Sequence, residues 1–124
     1  MRKSFKSTFS LEERKSESEK ILQKYPDRVP CIVECNDASK TLDKKKYLIP
    51  QDLTVGMLIT VIRKRLQLSS NKSIFLLIDN TIPVQSRPLS QVYTNNKDID
   101  GFLYITYAME NTFGQFFISV TSNE

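Results

Sequence analysis

The sequence predicts an α+β domain, a four-stranded mixed sheet with one helix packed on it, and three observations point there. A strongly amphipathic segment, with Val55, Leu58, Ile59, Ile62 and Leu66 at the i, i+3, i+4, i+7 spacing of one buried face, lies near the middle of the chain. Two strand-like stretches precede it and two follow it. A further, polar helix stands before the first strand, and its thin apolar face suits the surface of the sheet rather than an interior.

Size and composition agree with a single soluble domain. The chain has 124 residues, 40% hydrophobic and 26% charged, enough for one modest core and ordinary for a globular protein. A net charge of +4 and a pI near 9.1 give mild attraction to acidic surfaces, well short of the concentrated basic face of a DNA binder. No apolar run reaches membrane-spanning length and nothing marks a secretion signal, so a cytosolic protein is expected. The chain has no histidine and two cysteines, Cys31 and Cys35. On one strand these would stand roughly 13 Å apart, too far for a disulfide. With no imidazole to activate a thiol or complete a metal site, neither enzymatic nor metal chemistry has visible residues, and no cofactor is expected.

Taken in order, Arg2, Lys3 and Lys6 surround Phe5 and Phe9 in a helical turn or a loose arm. Ser10 followed by Glu13 is a capping box and starts a helix from Leu11 to about Lys24, with Leu11, Ile21 and Leu22 as its main apolar positions. Tyr25-Pro26 ends it, because the residue before proline avoids the α region. Val29 to Cys35 reads as a strand that puts Cys31, Val33 and Cys35 on one face, with Cys31 and Val33 in the core. Pro30, Ile32 and Glu34 take the other face. Asn36 to Thr41 is a polar loop. Leu42 to Pro50 is a lysine-rich run into a short strand closed by proline, the composition of an exposed edge open to an added peptide strand.

Thr54 caps the amphipathic helix, which runs to about Leu66 despite a penalty of roughly 1 kcal/mol for a glycine, Gly56, inside it. Ile74 to Ile78 is apolar throughout and reads as a central strand covered on both faces. Asp79-Asn80 turns the chain. Pro88 opens a short helix through Tyr93, Asn95 to Asp100 is a loop, and Gly101 opens a final strand that ends at Tyr107. The residues after Tyr107 read as an exposed extension carrying Gly114. A glycine there either simply ends an element before a tail or offers a backbone that a narrow enzyme channel can close around. The elements together make a β-grasp sheet.

Several of these segments resemble one family, the autophagy ubiquitin-like modifiers that include microtubule-associated protein light chain 3 and the GABA-receptor-associated proteins. The segments are Glu17 to Pro30 (ESEKILQKYPDRVP), Leu42 to Pro50 (LDKKKYLIP), Asp52 to Gly56 (DLTVG), Ile62 to Leu66 (IRKRL), Asp100 to Tyr107 (DGFLYITY) and Thr112-Phe113-Gly114. The resemblance implies a ubiquitin-like domain over residues 27–114, an N-terminal helical extension over residues 1–26 and a removable tail over residues 115–124. It implies a non-enzymatic tag. A processing cysteine protease would recognise Phe113, Gly114 and Gln115 and cut after Gly114. Activating and conjugating enzymes would then join Gly114 to phosphatidylethanolamine, giving a cytoplasmic protein with a lipid-anchored pool on autophagosomal membranes.

The family also docks cargo receptors and adaptors that carry an aromatic-x-x-aliphatic motif. Carried onto this chain, the aromatic pocket would be Glu17, Ile21, Pro30, Ile32, Lys46, Leu48 and Phe102. The aliphatic pocket would be Tyr47, Ile49, Pro50, Leu53, Leu58, Val61 and Ile62, with Arg65 at its margin. Taken without the family, Leu58 and Ile62 are simply core positions, and Lys44 to Lys46 and Arg63 to Arg65 are solvated charge. The tail holds Phe116, Phe117, Ile118 and Val120, longer and more apolar than is common in the family, and could itself pair with an edge. A different class of reading keeps the pockets without conjugation, in an adaptor that contacts microtubules or RNA through Arg2, Lys3 and Lys6.

Overall fold

The computed structural model describes residues 4–35 and 42–109. Its elements are, in order, α1 (Phe5–Thr8), α2 (Leu11–Lys24), β1 (Arg28–Cys35), β2 (Lys46–Pro50), α3 (Val55–Leu66), β3 (Ile74–Leu77), α4 (Leu89–Asn96) and β4 (Leu103–Met109). The strands form one sheet in the order β2-β1-β4-β3. β1 runs antiparallel to β2, from Arg28 opposite Pro50 to Ile32 opposite Lys46. It runs parallel to β4, from Cys31 opposite Leu103 to Cys35 opposite Tyr107, and β3 closes the far side antiparallel to β4. The sheet is therefore mixed, with α3 on one face and α1 and α2 on the other.

Period-2 alternation along β1 divides two cores. Val29, Cys31 and Val33 join Ile49, Leu58, Ile62, Leu66, Leu103, Ile105 and Tyr107 on the α3 side. Ile32 turns the other way and meets Phe5 and Phe102, with Ile21 and Tyr104 packed beside them. The helix starts follow the sequence signals. Ser10 and Glu13 complete a reciprocal capping box on α2, and the Thr54 hydroxyl accepts the Met57 N–H at the start of α3. Gly56 falls in the first turn of α3 rather than its interior. There its N–H donates to the Gln85 carbonyl at 2.9 Å, and a Cβ would lie 3.4 Å from that oxygen.

Four expectations need correction. The apolar run Ile74 to Ile78 is not central: among the described residues β3 is an edge strand paired only with β4, and its hydrophobicity goes with burial of Ile74, Leu76 and Leu77 and half-burial of Phe75 rather than with strands on both sides. Ile78 instead pairs with Thr81 across a tight turn whose central residues Asp79 and Asn80 both have positive φ (53° and 62°), as a type I′ turn demands. The last strand does not end at Tyr107. It continues through Ala108, which is fully buried, to Met109, held by pairing with Phe75 and Ile74. α4 runs three residues past Tyr93, and Pro88 is its N-cap with ψ 150° rather than its first helical residue. Gly101 lies before β4, in a turn where its N–H donates to the Asp98 carbonyl at 2.9 Å.

α2 docks on the sheet in a way its apolar residues do not announce. Leu11 is 37% exposed, whereas Ser18 is the buried residue of the helix. The Ser18 hydroxyl donates to the Asp100 carbonyl at 2.5 Å. One turn earlier, Arg14 donates to the Asp100 carboxylate at 2.7 Å. That carboxylate has no exposed surface, and it also accepts the Tyr104 hydroxyl at 2.5 Å and the Phe102 N–H at 2.8 Å. A buried charge with this many donors satisfies the condition under which burial is tolerated. Gly101 makes the approach possible: its φ is +91°, and a Cβ there would lie 2.3 Å from Ser18 Oγ.

Candidate functional site

β2 lies at the sheet edge, paired with β1 on one side only among the described residues. Its alternating side chains feed two different faces. Tyr47 and Ile49 stand opposite Cys31 and Val29, on the α3 side, whereas Lys46 and Leu48 stand opposite Ile32 and Pro30, on the α2 side. The strand edge thus runs between two helices.

On the α3 side lies a groove of about 260 Å³. The strand wall is Tyr47, Ile49 and Pro50; the helix wall is Leu58, Val61 and Ile62, with Leu53 between them and Arg65 at the rim. All eight residues expected for an aliphatic recess therefore line one cavity. Val33 and Leu42 line it as well, and neither stood among the residues expected there; the period of β1 already put Val33 on this face. Leu48, expected for the aromatic recess, also borders this groove. Leu58 and Ile62 are buried core residues at the same time, so packing and lining are one role here, not alternatives.

The rim of this groove is cationic. The Arg65 guanidinium lies 5.4 Å from the Tyr47 ring centroid and the Lys44 ammonium 5.3 Å from it, within the range where a cation is attracted by the ring face. The Tyr47 hydroxyl is buried with no hydrogen-bond partner among the described residues. Its burial raises the phenol pKa, an effect that the Arg65 charge opposes and the Asp43 charge reinforces.

On the α2 side the residues expected for an aromatic recess are brought together but filled. Ile32 and Phe102 have no exposed surface, and Pro30 is fully buried. Phe5 packs edge-on against Phe102, with centroids 5.3 Å apart at 73°, and the Phe5 N–H donates to the Glu34 carboxylate at 2.9 Å. Glu17 and Lys46 form an ion pair between α2 and β2. An aromatic ring entering here has to share the space now held by Phe5. Sequence reading noted Phe5 as an apolar anchor without assigning what it anchors to.

Lys6 donates to Asp98 at 2.7 Å and lies 4.5 Å over the Tyr104 ring. Phe113, Gly114 and Gln115, like Arg2 and Lys3, lie outside the described residues. Cys31 is buried and Cys35 half-buried, and burial pushes the Cys31 thiol pKa well up. Among the described residues no His, Cys, Asp and Glu cluster could hold a metal ion, and no helix is long and apolar enough to cross a membrane.

Comparison with known proteins converges on one family. A family profile described as "Autophagy protein Atg8 ubiquitin like" matches residues 13–114. The chain is 54% identical over 119 residues to "Autophagy-related protein 8" of Schizosaccharomyces pombe, covering 94% of this chain and 98% of that one. It is 52% identical over 117 residues to "Autophagy-related protein 8" of Mycosarcoma maydis, covering 93% and 99%. Among solved structures, the crystal structure of Trypanosoma brucei ATG8 superposes with a TM-score of 0.81 at 36% identity, covering 89% of this chain and 97% of that one. With a ubiquitin-like sheet, a helix on each side of its edge strand and relatives that match along nearly their whole length, the chain belongs to the Atg8 family of autophagy ubiquitin-like modifiers.

Proposed function

We propose that the chain is cut after Gly114, joined through that residue to the amine of phosphatidylethanolamine, and then presents the β2 edge to partners that carry an aromatic-x-x-aliphatic segment. The observation that carries the docking half is the groove beside the β2 edge, which is unpaired among the described residues, bounded by Tyr47, Ile49, Leu58 and Ile62. A peptide laid along this edge gains main-chain hydrogen bonds from β2, while its side chains fall alternately toward α3 and toward α2. The aliphatic side chain fills the α3-side groove. The aromatic one enters beside Ile21, Ile32 and Phe102 by displacing Phe5 from the space it holds there, and acidic neighbours meet Lys44, Lys46 and Arg65.

The chain acts as the substrate of modification rather than as an enzyme. Hydrolysis of the Gly114–Gln115 amide would leave a glycine carboxylate and release residues 115–124. The activating enzyme adenylates that carboxylate with ATP, releasing pyrophosphate; an enzyme thiol then displaces AMP, which carries away the carboxylate oxygen, and the lipid amine finally displaces the thiol from the thioester to form the amide. In this reading residues 1–26 are a helical extension, residues 27–114 the ubiquitin-like body, and the protein divides between cytoplasm and autophagosomal membrane.

The test is a pair of variants in cells and in vitro. Gly114→Ala is expected to abolish the lipid-linked form while motif peptides still bind, and incubation with a processing protease of the family is expected to remove the mass of residues 115–124. Persistence of the full-length mass in every fraction would refute the conjugation half. Unchanged peptide affinity in Leu58→Asp, a variant that puts charge into the groove wall, would refute the docking half.

A further inference from the structure

The chain carries its own candidate occupant for this edge. Beyond β4, residues Phe117-Ile118-Ser119-Val120 place an aromatic and an aliphatic side chain three positions apart. In an extended segment an odd separation sends two side chains to opposite faces, which is what an edge strand running between α2 and α3 calls for. We propose that in the uncut chain this segment lies along β2 in cis, with Phe117 toward the α2 side and Val120 in the α3-side groove, so that removal of residues 115–124 opens the docking edge. This rests on the docking reading above and adds regulation to it.

Polarity and reach both fit. β1 is parallel to β4 and antiparallel to β2, so a chain that leaves β4 and turns back runs parallel to β2. It meets the Lys46 end first and the Ile49 end second. The aromatic residue therefore arrives beside Ile32, opposite Lys46, and the aliphatic one further along, beside Ile49 and Pro50. From Met109 the segment has to cross three strand spacings, about 14 Å, and return about 17 Å along the sheet to the level of Lys46, roughly 22 Å in all. The residues from Glu110 to Phe117 span up to about 28 Å when extended, which leaves slack for the reversal.

Charge agrees as well. Residues 110–124 include Glu110 and Glu124 and neither lysine nor arginine, whereas the rim of the groove carries Lys44 and Arg65. A tether this short supplies an effective concentration near the millimolar range. Even a segment that binds weakly as a free peptide then competes with outside partners.

The experiment uses the full-length chain and a fluorescent peptide in which a Trp-x-x-Leu segment is flanked by Asp and Glu. Phe117→Ser combined with Val120→Ser is expected to tighten peptide binding about tenfold, a factor that follows for a tail of roughly 100 µM intrinsic affinity at millimolar effective concentration. Phe116→Ser removes an equal aromatic at the wrong spacing and is expected to leave the affinity of the uncut chain unchanged. The amide signals of Tyr47 and Ile49 should shift in the double variant and not in Phe116→Ser. Equal affinity in wild type and double variant would overturn the proposal while leaving the docking reading intact. Failure of the peptide to bind either form would overturn the docking reading and this one with it. Occlusion that grows with protein concentration, with a dimer in light scattering, would overturn the intramolecular form stated here.

Discussion

Replacing Gly101 by alanine tests how α2 is held on the sheet, and its size follows from the geometry. The residue has φ +91°, and an added Cβ would approach Ser18 Oγ to 2.3 Å and Ser18 Cβ to 3.0 Å. A left-handed conformation costs an L-residue about 1–2 kcal/mol, and overfilling a packed contact costs about 1–3 kcal/mol more. We expect Gly101→Ala to destabilise the fold by about 3 kcal/mol, a fall in Tm of roughly 10 °C for a chain of this size, read by denaturant and thermal unfolding. The two contributions separate in a double-mutant cycle. Ser18→Gly alone is destabilising, because it deletes the hydrogen bond to the Asp100 carbonyl and puts glycine in a helix interior. On the Gly101→Ala background it also removes the clash, so the combined loss should fall short of the sum by more than about 1 kcal/mol. Additivity within about 0.5 kcal/mol, or a loss below about 1 kcal/mol for Gly101→Ala alone, would refute the close approach as the reason for glycine.

Other expectations concern single groups. Tyr47→Phe removes a buried hydroxyl that has no partner among the described residues while keeping a ring face for Lys44 and Arg65, so stability should rise by up to about 1 kcal/mol; a loss of similar size in urea unfolding would mean the hydroxyl has a role in the free protein. Cys31, with its raised pKa, should resist iodoacetamide in the native state while Cys35 reacts, and early Cys31 labelling in mass spectra would contradict its burial. Burial of Asp98 opposes its ionisation, but the Lys6 hydrogen bond, the Asp100 N–H and the charges of Lys6 and Arg14 together outweigh it and hold the carboxyl below its usual 3.8. The stabilisation from a depressed carboxyl is complete above the unfolded pKa and fades as pH falls through the folded one. Lys6→Gln should therefore cost under about 1 kcal/mol at neutral pH, Lys6 being half exposed, and its difference from wild type should shrink below pH 4; a difference that grows on acidification would reverse the sign of the argument.

The elements that could be read in advance were those whose signals are local. A capping box, a Thr cap and an i, i+3, i+4, i+7 stripe fixed α2 and α3 because each depends on residues a turn apart. The faces of β1 followed from alternation alone. What escaped was set by tertiary contact. The run Ile74 to Ile78 shows that both faces are covered but says nothing about which strands lie beside it. Ala108 and Met109 belong to β4 because Phe75 and Ile74 face them, a pairing invisible in their own composition. The α2-side contacts were the hardest of all, since a serine, an arginine and an aspartate carry no apolar pattern, and the pairing of Ser18 with Gly101 joins positions far apart in the chain. The residues of the α3-side groove came from resemblance to whole segments; periodicity alone marks Leu58 and Ile62 only as core.

The parallel ladder between β1 and β4 has a consequence for biosynthesis. Its partners lie about seventy residues apart, so the centre of the sheet closes only after nearly all of the domain has been made, and such long-range closure slows folding. Until β4 arrives, β1 and β2 amount to a hairpin with an uncovered inner edge, a state with no independent stability in water. Translation that halts before Met109 should thus yield a chain that exposes Cys31, Ile32 and Val33 to chaperones and proteases rather than a shortened working domain.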